Sequence, residues 1–194
     1  MSNPLRVPLT DRRGIAGERT ISQLFWIIGT AAVTALAARL EIPHDPVPFT
    51  LQTLVVLLAG ALLGPVNGAL SQVAYLAAGL AGLPVFAGGT AGIARLIGPS
   101  GGYLMAFPLA AAVIGLFLER RSGLIRSFGA MTLGLLIIFF LGTLHLYVFY
   151  LHNLVAALGA GFLIFGWWDL LKLAAAAMLY YGYARKWRQE EGTH

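Results

Sequence analysis

Asp169 and Lys172 offer the most distinctive chemistry in this sequence, a carboxylate and an ammonium three positions apart inside a long apolar stretch. On a helix that spacing puts both on one face, about one turn from each other. Ionisable groups at such depth are costly and usually face a bundle interior or a water-filled cavity. An intrahelical salt bridge that only neutralises the two charges is one reading. The other is a polar pocket floor that presents an acceptor and a cationic donor to a ligand. We favour the second, because a bundle needing only stability would carry apolar residues there.

A second group of candidates lies in the stretch from Leu83 to Gly102, rich in Gly88, Gly89, Gly92, Gly98, Gly101 and Gly102 and carrying Arg95. Glycines let backbone N–H groups approach a ligand and let a loop close over it, or simply permit tight turns. A carboxylate is the natural partner of Arg95, which is equally suited to a solvated loop. Gly98-Pro99-Ser100-Gly101-Gly102 is also a literal G-x-S-x-G, the nucleophile-elbow pattern, and resembles the serine motif of rhomboid intramembrane proteases. Those proteases take their base from a histidine in the sixth helix. The sixth apolar segment here has none, so an unlikely protease using Ser100 is kept only as an alternative.

These residues need elements to hold them, and composition says which kind. Of 194 residues 58% are hydrophobic and 11% charged, with a mean hydropathy of +0.79. A soluble domain of this size needs more charge to cover its surface. A bilayer-spanning helix takes about 20 apolar residues. Six segments are expected: Ile21 to Leu40, Thr50 to Leu63, a third to Gly82 after a tight turn at Gly64-Pro65, Tyr103 to Leu118, Phe128 to Phe149, and Gly159 to Ala184. Pro43, Pro46 and Pro48 make the first connection a rigid, non-helical loop. Leu83 to Gly102 is expected to be a folded, partly re-entrant loop. The fold expected is an all-α membrane bundle of six transmembrane helices in one domain, 1–194, with tails at 1–19 and 185–194.

Charge distribution supplies an independent check. Four arginines precede the first segment, three (Arg120, Arg121, Arg126) follow the fourth, and three bases (Arg185, Lys186, Arg188) follow the sixth, against Arg39 and Arg95 on the other side. Cytoplasmic loops carry the excess of Lys and Arg, so both termini are expected in the cytoplasm. The net charge of +5 is thereby assigned to orientation rather than to nucleic acid. There is no cysteine, hence no thiolate metal site or thiol nucleophile. No cofactor or metal is expected. Neither lysine lies in the G-K-[ST] context of a P-loop, so the chain itself is not expected to hydrolyse ATP. Ion coupling through Asp169 stays open. Ala31-x-x-x-Ala35 and Thr34-x-x-x-Ala38 give the first segment a small-residue face that packs either within the bundle or on a partner subunit. Tyr75, Tyr103, Trp167 and Trp168 are interfacial anchors or pocket walls.

Four stretches in order, Val47-Pro48-Phe49-Thr50-Leu51-Gln52-Thr53-Leu54, Leu58 to Pro65, Gly82-Leu83-Pro84-Val85-Phe86-Ala87-Gly88-Gly89 and Gly98 to Tyr103, together with Asp169-x-x-Lys172, resemble the signature of BioY. BioY is the biotin-binding S component of prokaryotic energy-coupling factor (ECF) transporters. The resemblance implies an S-component bundle that captures biotin with high affinity from the outer side, beneath the first and third loops; an S component for another vitamin is the alternative. It implies ligand contacts from Asp169 and Lys172 and a cover formed by Gly88 to Arg95. Phe49, Gln52, Phe86, Gly89 and Tyr103, within or beside the matched motifs, complete the candidate site. The family usually has Thr at position 100; Ser100 keeps the hydroxyl. The implied partners are a membrane-embedded T component and two ATPase subunits, with Ala31 and Ala35 as the candidate contact, or self-association if the chain works alone.

Overall fold

The structure, a computed structural model, describes residues 16–119, 123–163 and 166–191. The N-terminal tail through residue 15, residues 120–122 (with Arg120 and Arg121), residues 164–165 and the last three residues lie outside them. Helix α1 (Ala16–Arg39) is followed by a two-strand ladder, β1 (Glu41–Ile42) and β2 (Phe49–Thr50). After it come α2 (Gln52–Leu80), the short α3 (Ile93–Ile97), α4 (Gly101–Leu118), α5 (Leu124–Leu146), α6 (Leu154–Gly161) and α7 (Gly166–Glu191). A π-turn, Tyr147–Leu151, extends α5.

The course of α2 decides the topology. A straight helix would hold Gln52 and Tyr75 about 34 Å apart at roughly 1.5 Å per residue, yet Gln52 Nε2 donates to Tyr75 Oη at 2.6 Å. A Cβ on Gly68 would stand 2.9 Å from the carbonyl oxygen of Ala59. The two limbs are therefore antiparallel neighbours, reversed at Gly64, whose φ of 80° and ψ of −177° belong to a region nearly closed to other residues. Pro65 opens the second limb, a position where its missing N–H costs no helical hydrogen bond. The tight turn expected at Gly64-Pro65 is thus observed as a hairpin.

A hairpin returns to the side it left, so α2 contributes an even number of crossings. Among the described residues four helices are long and apolar enough to cross a bilayer, α2 counted once, and the bent pair α6–α7 makes a fifth. With the reversal in α2, the start of α1 and the end of α7 lie at the end of the bundle away from Arg39 and the pocket. The limbs of 12 and 16 residues on either side of Gly64 span about 18 and 24 Å, less than the roughly 30 Å hydrocarbon thickness.

The first connection is non-helical, as expected, and a short ladder closes it, in which Glu41 and Ile42 pair with Thr50 and Phe49. One sequence expectation needs correction: the last segment is not one helix from Gly159. It is broken into α6 and α7, bent by 45°, where Gly159, Gly161 and Gly166 weaken helical continuity. Asn153 opens α6, its side chain accepting from the Ala156 N–H at 3.0 Å.

Small residues bring the helices together at the end opposite the ladder. Gly60 abuts the Ala111 backbone and Gly115 abuts Gly64 and Pro65, so α4 packs backbone to backbone on the hairpin. On α1, Thr34 and Ala38 are buried. Thr34 Oγ1 accepts from Gln72 Nε2 at 3.3 Å, and the same amide reaches Ser71 Oγ at 3.1 Å, which fixes α1 on the second limb. Ala31 and Ala35 are half-buried beside that seam. Leu24, Phe25, Ile28, Val33 and Leu36 point outward, as on a lipid-facing helix.

Candidate functional site

The end of the bundle bearing the ladder holds a partly open cavity of about 50 Å³. The proline-rich loop, which has a cis Asp45-Pro46 bond, supplies Val47 and Pro48 to one wall. β2 delivers Thr50, and the first turn of α2 delivers Gln52 and Thr53. Helix α4 adds Tyr103, Leu104 and Phe107, α5 adds Ile138 and Phe139, and the first two turns of α7 place Asp169 and Lys172 on the floor. A mostly apolar cavity with a few converging polar groups is the usual form of a small-molecule site.

The floor is a closed polar unit with one open end. Lys172 Nζ lies 2.6 Å from Asp169 Oδ1, and the two side chains are 5% and 1% exposed. The same ammonium donates to the Thr50 carbonyl at 2.9 Å, and Thr53 Oγ1 donates to Asp169 Oδ1 at 2.8 Å. Two stretches distant in sequence, residues 50–53 and the start of α7, therefore meet at one ion pair. Its other oxygen, Oδ2, is buried with no hydrogen-bond partner. A buried acceptor left unpaired costs about 1–3 kcal/mol, more when charged. A ligand donor would remove that cost.

Across the cavity stands Arg95, on α3. The loop carrying it turns through Gly88, Gly89 and Gly92, at φ of 68°, 67° and 85°, values that a side chain would strain. The pocket end of α5 and its π-turn hold the loop down. His145 Nε2 meets the Gly98 carbonyl at 3.1 Å, and Tyr150 Oη donates to that of Ile97. His145 thus engages a backbone carbonyl two residues before Ser100, which itself faces the cavity.

Of the candidates drawn from the sequence, Asp169, Lys172, Arg95, Tyr103 and Gln52 border this one cavity. Gln52 reaches back to Tyr75, and Tyr103 Oη donates to the Gly161 carbonyl at 2.6 Å, tying the wall to the end of α6. Gly88 borders an adjoining cavity instead. Gly89 makes room for the Arg39 guanidinium, 2.6 Å from where its Cβ would sit, and Arg39 Nη2 donates to the Pro84 carbonyl at 2.5 Å. Phe86 is fully buried edge-on against Tyr75, ring centroids 5.5 Å apart, in the space Gly79 leaves open. Phe49 lies against the His44 ring at 5.1 Å. Neither Phe86 nor Phe49 borders the cavity.

Sequence reasoning passed over Thr50, Thr53, Val47, Pro48, Ala87, Leu104, Phe107, Ile138 and Phe139 as lining residues. Thr53 had a legible signal, a hydroxyl one residue past Gln52 at the head of an apolar segment. The apolar lining on α4 and α5 had none, because one Phe or Ile among many is distinguished only by where its helix faces.

The model of the BioY family matches residues 10–189. The chain is 42% identical over 148 residues to the biotin transporter BioY of Thermotoga maritima, covering 76% of this chain and 87% of that one. It is 40% identical, with the same coverage, to the probable biotin transporter BioY of Pyrococcus horikoshii. A crystal structure of the S-component for biotin from an ECF-type ABC transporter superimposes with a TM-score of 0.81 at 29% identity, over 89% of this chain and 95% of that one.

Proposed function

Because the chain belongs to the BioY family, we propose that it captures biotin with high affinity and takes it up as the S component of an ECF transporter. The carrying observation is the buried, unpartnered Asp169 Oδ2 beside Lys172 on the cavity floor. Biotin has an apolar bicycle and chain, a ureido group with two N–H donors and one carbonyl acceptor, and a carboxylate. The floor is neutral overall and offers one acceptor and one cationic donor. That pattern complements a urea. A carboxylate placed there would meet the Asp169 charge in a low-dielectric setting, where like charges repel strongly. The ureido ring therefore binds Asp169 and Lys172, the apolar bicycle lies between Tyr103, Phe107 and Phe139, and the carboxylate reaches Arg95.

Equilibrium binding to the purified protein tests this: biotin should bind, and thiamine and riboflavin should not displace it at comparable concentration. Equal competition by either vitamin would overturn the assignment. Arg95→Met should weaken biotin roughly ten- to hundredfold, as expected for a lost charged hydrogen bond. The same change should cost the uncharged biotin methyl ester less, because its carbonyl accepts from the guanidinium without the charge. An equal loss for both ligands would reverse the proposed orientation.

A multi-pass protein of this family belongs in a prokaryotic cytoplasmic membrane, and having both ends on one side leaves the orientation to be chosen. Arg126 lies at the end of the bundle opposite the pocket, whereas Arg39 and Arg95 lie at the pocket end. We place the pocket outside and both termini in the cytoplasm. The hairpin of α2 then makes two short crossings, giving six in one membrane domain. In this cysteine-free background, His44→Cys should react with an impermeant thiol reagent added outside, and Gly123→Cys should not. Labelling of Gly123→Cys from outside would reverse the orientation.

Energy is supplied by partners, a membrane-embedded T component and two ATPase subunits, as for the ECF-type relative. Vesicles holding this chain alone, loaded with ATP and free of ion gradients, should not accumulate labelled biotin above equilibrium. The contact is assigned to α1, whose outward face and half-buried Ala31 and Ala35 let another helix come close.

A further inference from the structure

A second space of about 320 Å³, open to solvent, adjoins the ligand cavity and shares Pro48, Ala87 and Arg95 with it. Arg95 is the shared polar residue, so it stands where the two adjoin. The outer space is bordered by Glu41, His44, Asp45, Gly88 and Thr90. Its polarity differs from that of the inner one. Two carboxylates face it, and His44 Nδ1 is buried without a hydrogen-bond partner.

With biotin seated as proposed above, on which this inference rests, its carboxylate ends at Arg95. Joining that carboxylate to an amine as an amide removes the charge but keeps a carbonyl acceptor for the Arg95 guanidinium. Whatever is attached then continues outward into the second space. Glu41 and Asp45 favour an ammonium there. From these features we infer that the chain also accepts biotin amides bearing an amino-acid head, such as Nε-biotinyl-lysine, with the bicycle in the inner cavity and the head in the outer one. A site that ended in a closed wall behind the carboxylate would reject them. The inner cavity is itself partly open, and the outer one adjoins it at Arg95.

The test is displacement of labelled biotin from the full chain in detergent by three competitors: biotin, Nε-biotinyl-lysine and the uncharged N-propyl biotin amide. Nε-biotinyl-lysine should compete within about tenfold of biotin and better than the propyl amide, because an exposed ion pair contributes up to about 1 kcal/mol. The double variant Glu41→Gln, Asp45→Asn should bind biotin and the propyl amide unchanged and Nε-biotinyl-lysine roughly fivefold more weakly. That difference should shrink in about 1 M salt, where the screening length falls to roughly 3 Å. If biotin binds and Nε-biotinyl-lysine does not displace it, the inference is overturned while the biotin assignment stands. If the double variant weakens all three ligands alike, or none, the outer space is not the head's site. Failure of biotin itself to bind would overturn the functional assignment and this inference with it.

Discussion

Asp169→Asn and Lys172→Met, made separately, should each lower biotin affinity roughly ten- to hundredfold and each destabilise the protein in detergent. The two effects have different origins. Affinity falls because a charged hydrogen bond to the ureido group is worth about 1.5–3 kcal/mol. Stability falls because either change leaves the other member of a pair only 5% and 1% exposed without its counter-charge. Breaking a buried pair from one side costs about 3–5 kcal/mol. Removing both charges with side chains of similar volume, Asp169→Leu with Lys172→Met, should separate these origins. Paired apolar replacements are often neutral or stabilising, so the double variant should recover most of the thermal stability while still failing to bind biotin. Thermal unfolding with and without ligand reads both quantities. A double variant that binds biotin like the parent would make the pair structural and displace the proposed site.

Gly60→Leu is expected to have the second largest effect, without touching ligand. A Cβ at position 60 would lie 2.4 Å from the Ala111 carbonyl oxygen and 3.0 Å from its carbonyl carbon. Backbone cannot rotate aside as a side chain can, so α4 must move off the α2 hairpin. Overpacking of this kind costs about 1–3 kcal/mol and occasionally more. Because α4 also carries Tyr103, Leu104 and Phe107 into the cavity, biotin affinity should fall along with the melting temperature. Gly159→Ala is the control. Nothing lies within 4 Å of where its Cβ would sit, and alanine favours the helix over glycine by about 1 kcal/mol. That variant should be neutral or slightly more stable. If Gly60→Leu melts with the parent, the close crossing of α2 and α4 is not a determinant of the fold.

Much of the site was already carried by local sequence. Lys172 and Asp169 were identifiable because charge inside an apolar segment is costly and their spacing alone places them on one helical face. The turn at Gly64-Pro65 was identifiable because those two residues have few other conformations. The break between α6 and α7 was not. Glycine weakens a helix without terminating it, and the outcome at Gly159, Gly161 and Gly166 depends on what packs around them. The short β ladder was equally hidden, since two-residue strands have no periodicity.

The sequence by itself determined a membrane bundle, the concentration of its basic residues at one set of segment ends and the identity of its floor charges. These follow from hydropathy, charge and i,i+3 spacing, all properties of residues near one another in the chain. Tertiary structure alone decided that the Thr53 hydroxyl and the Thr50 carbonyl complete the floor, 116 and 122 positions away from their partners. It alone turned Phe86 inward against Tyr75 and set Arg95 where two cavities adjoin. The reason is physical: which face of an almost uniformly apolar helix is buried is set by the shape of its neighbours, by a missing Cβ at Gly60, Gly79 or Gly115, and not by any contrast in polarity along the helix itself.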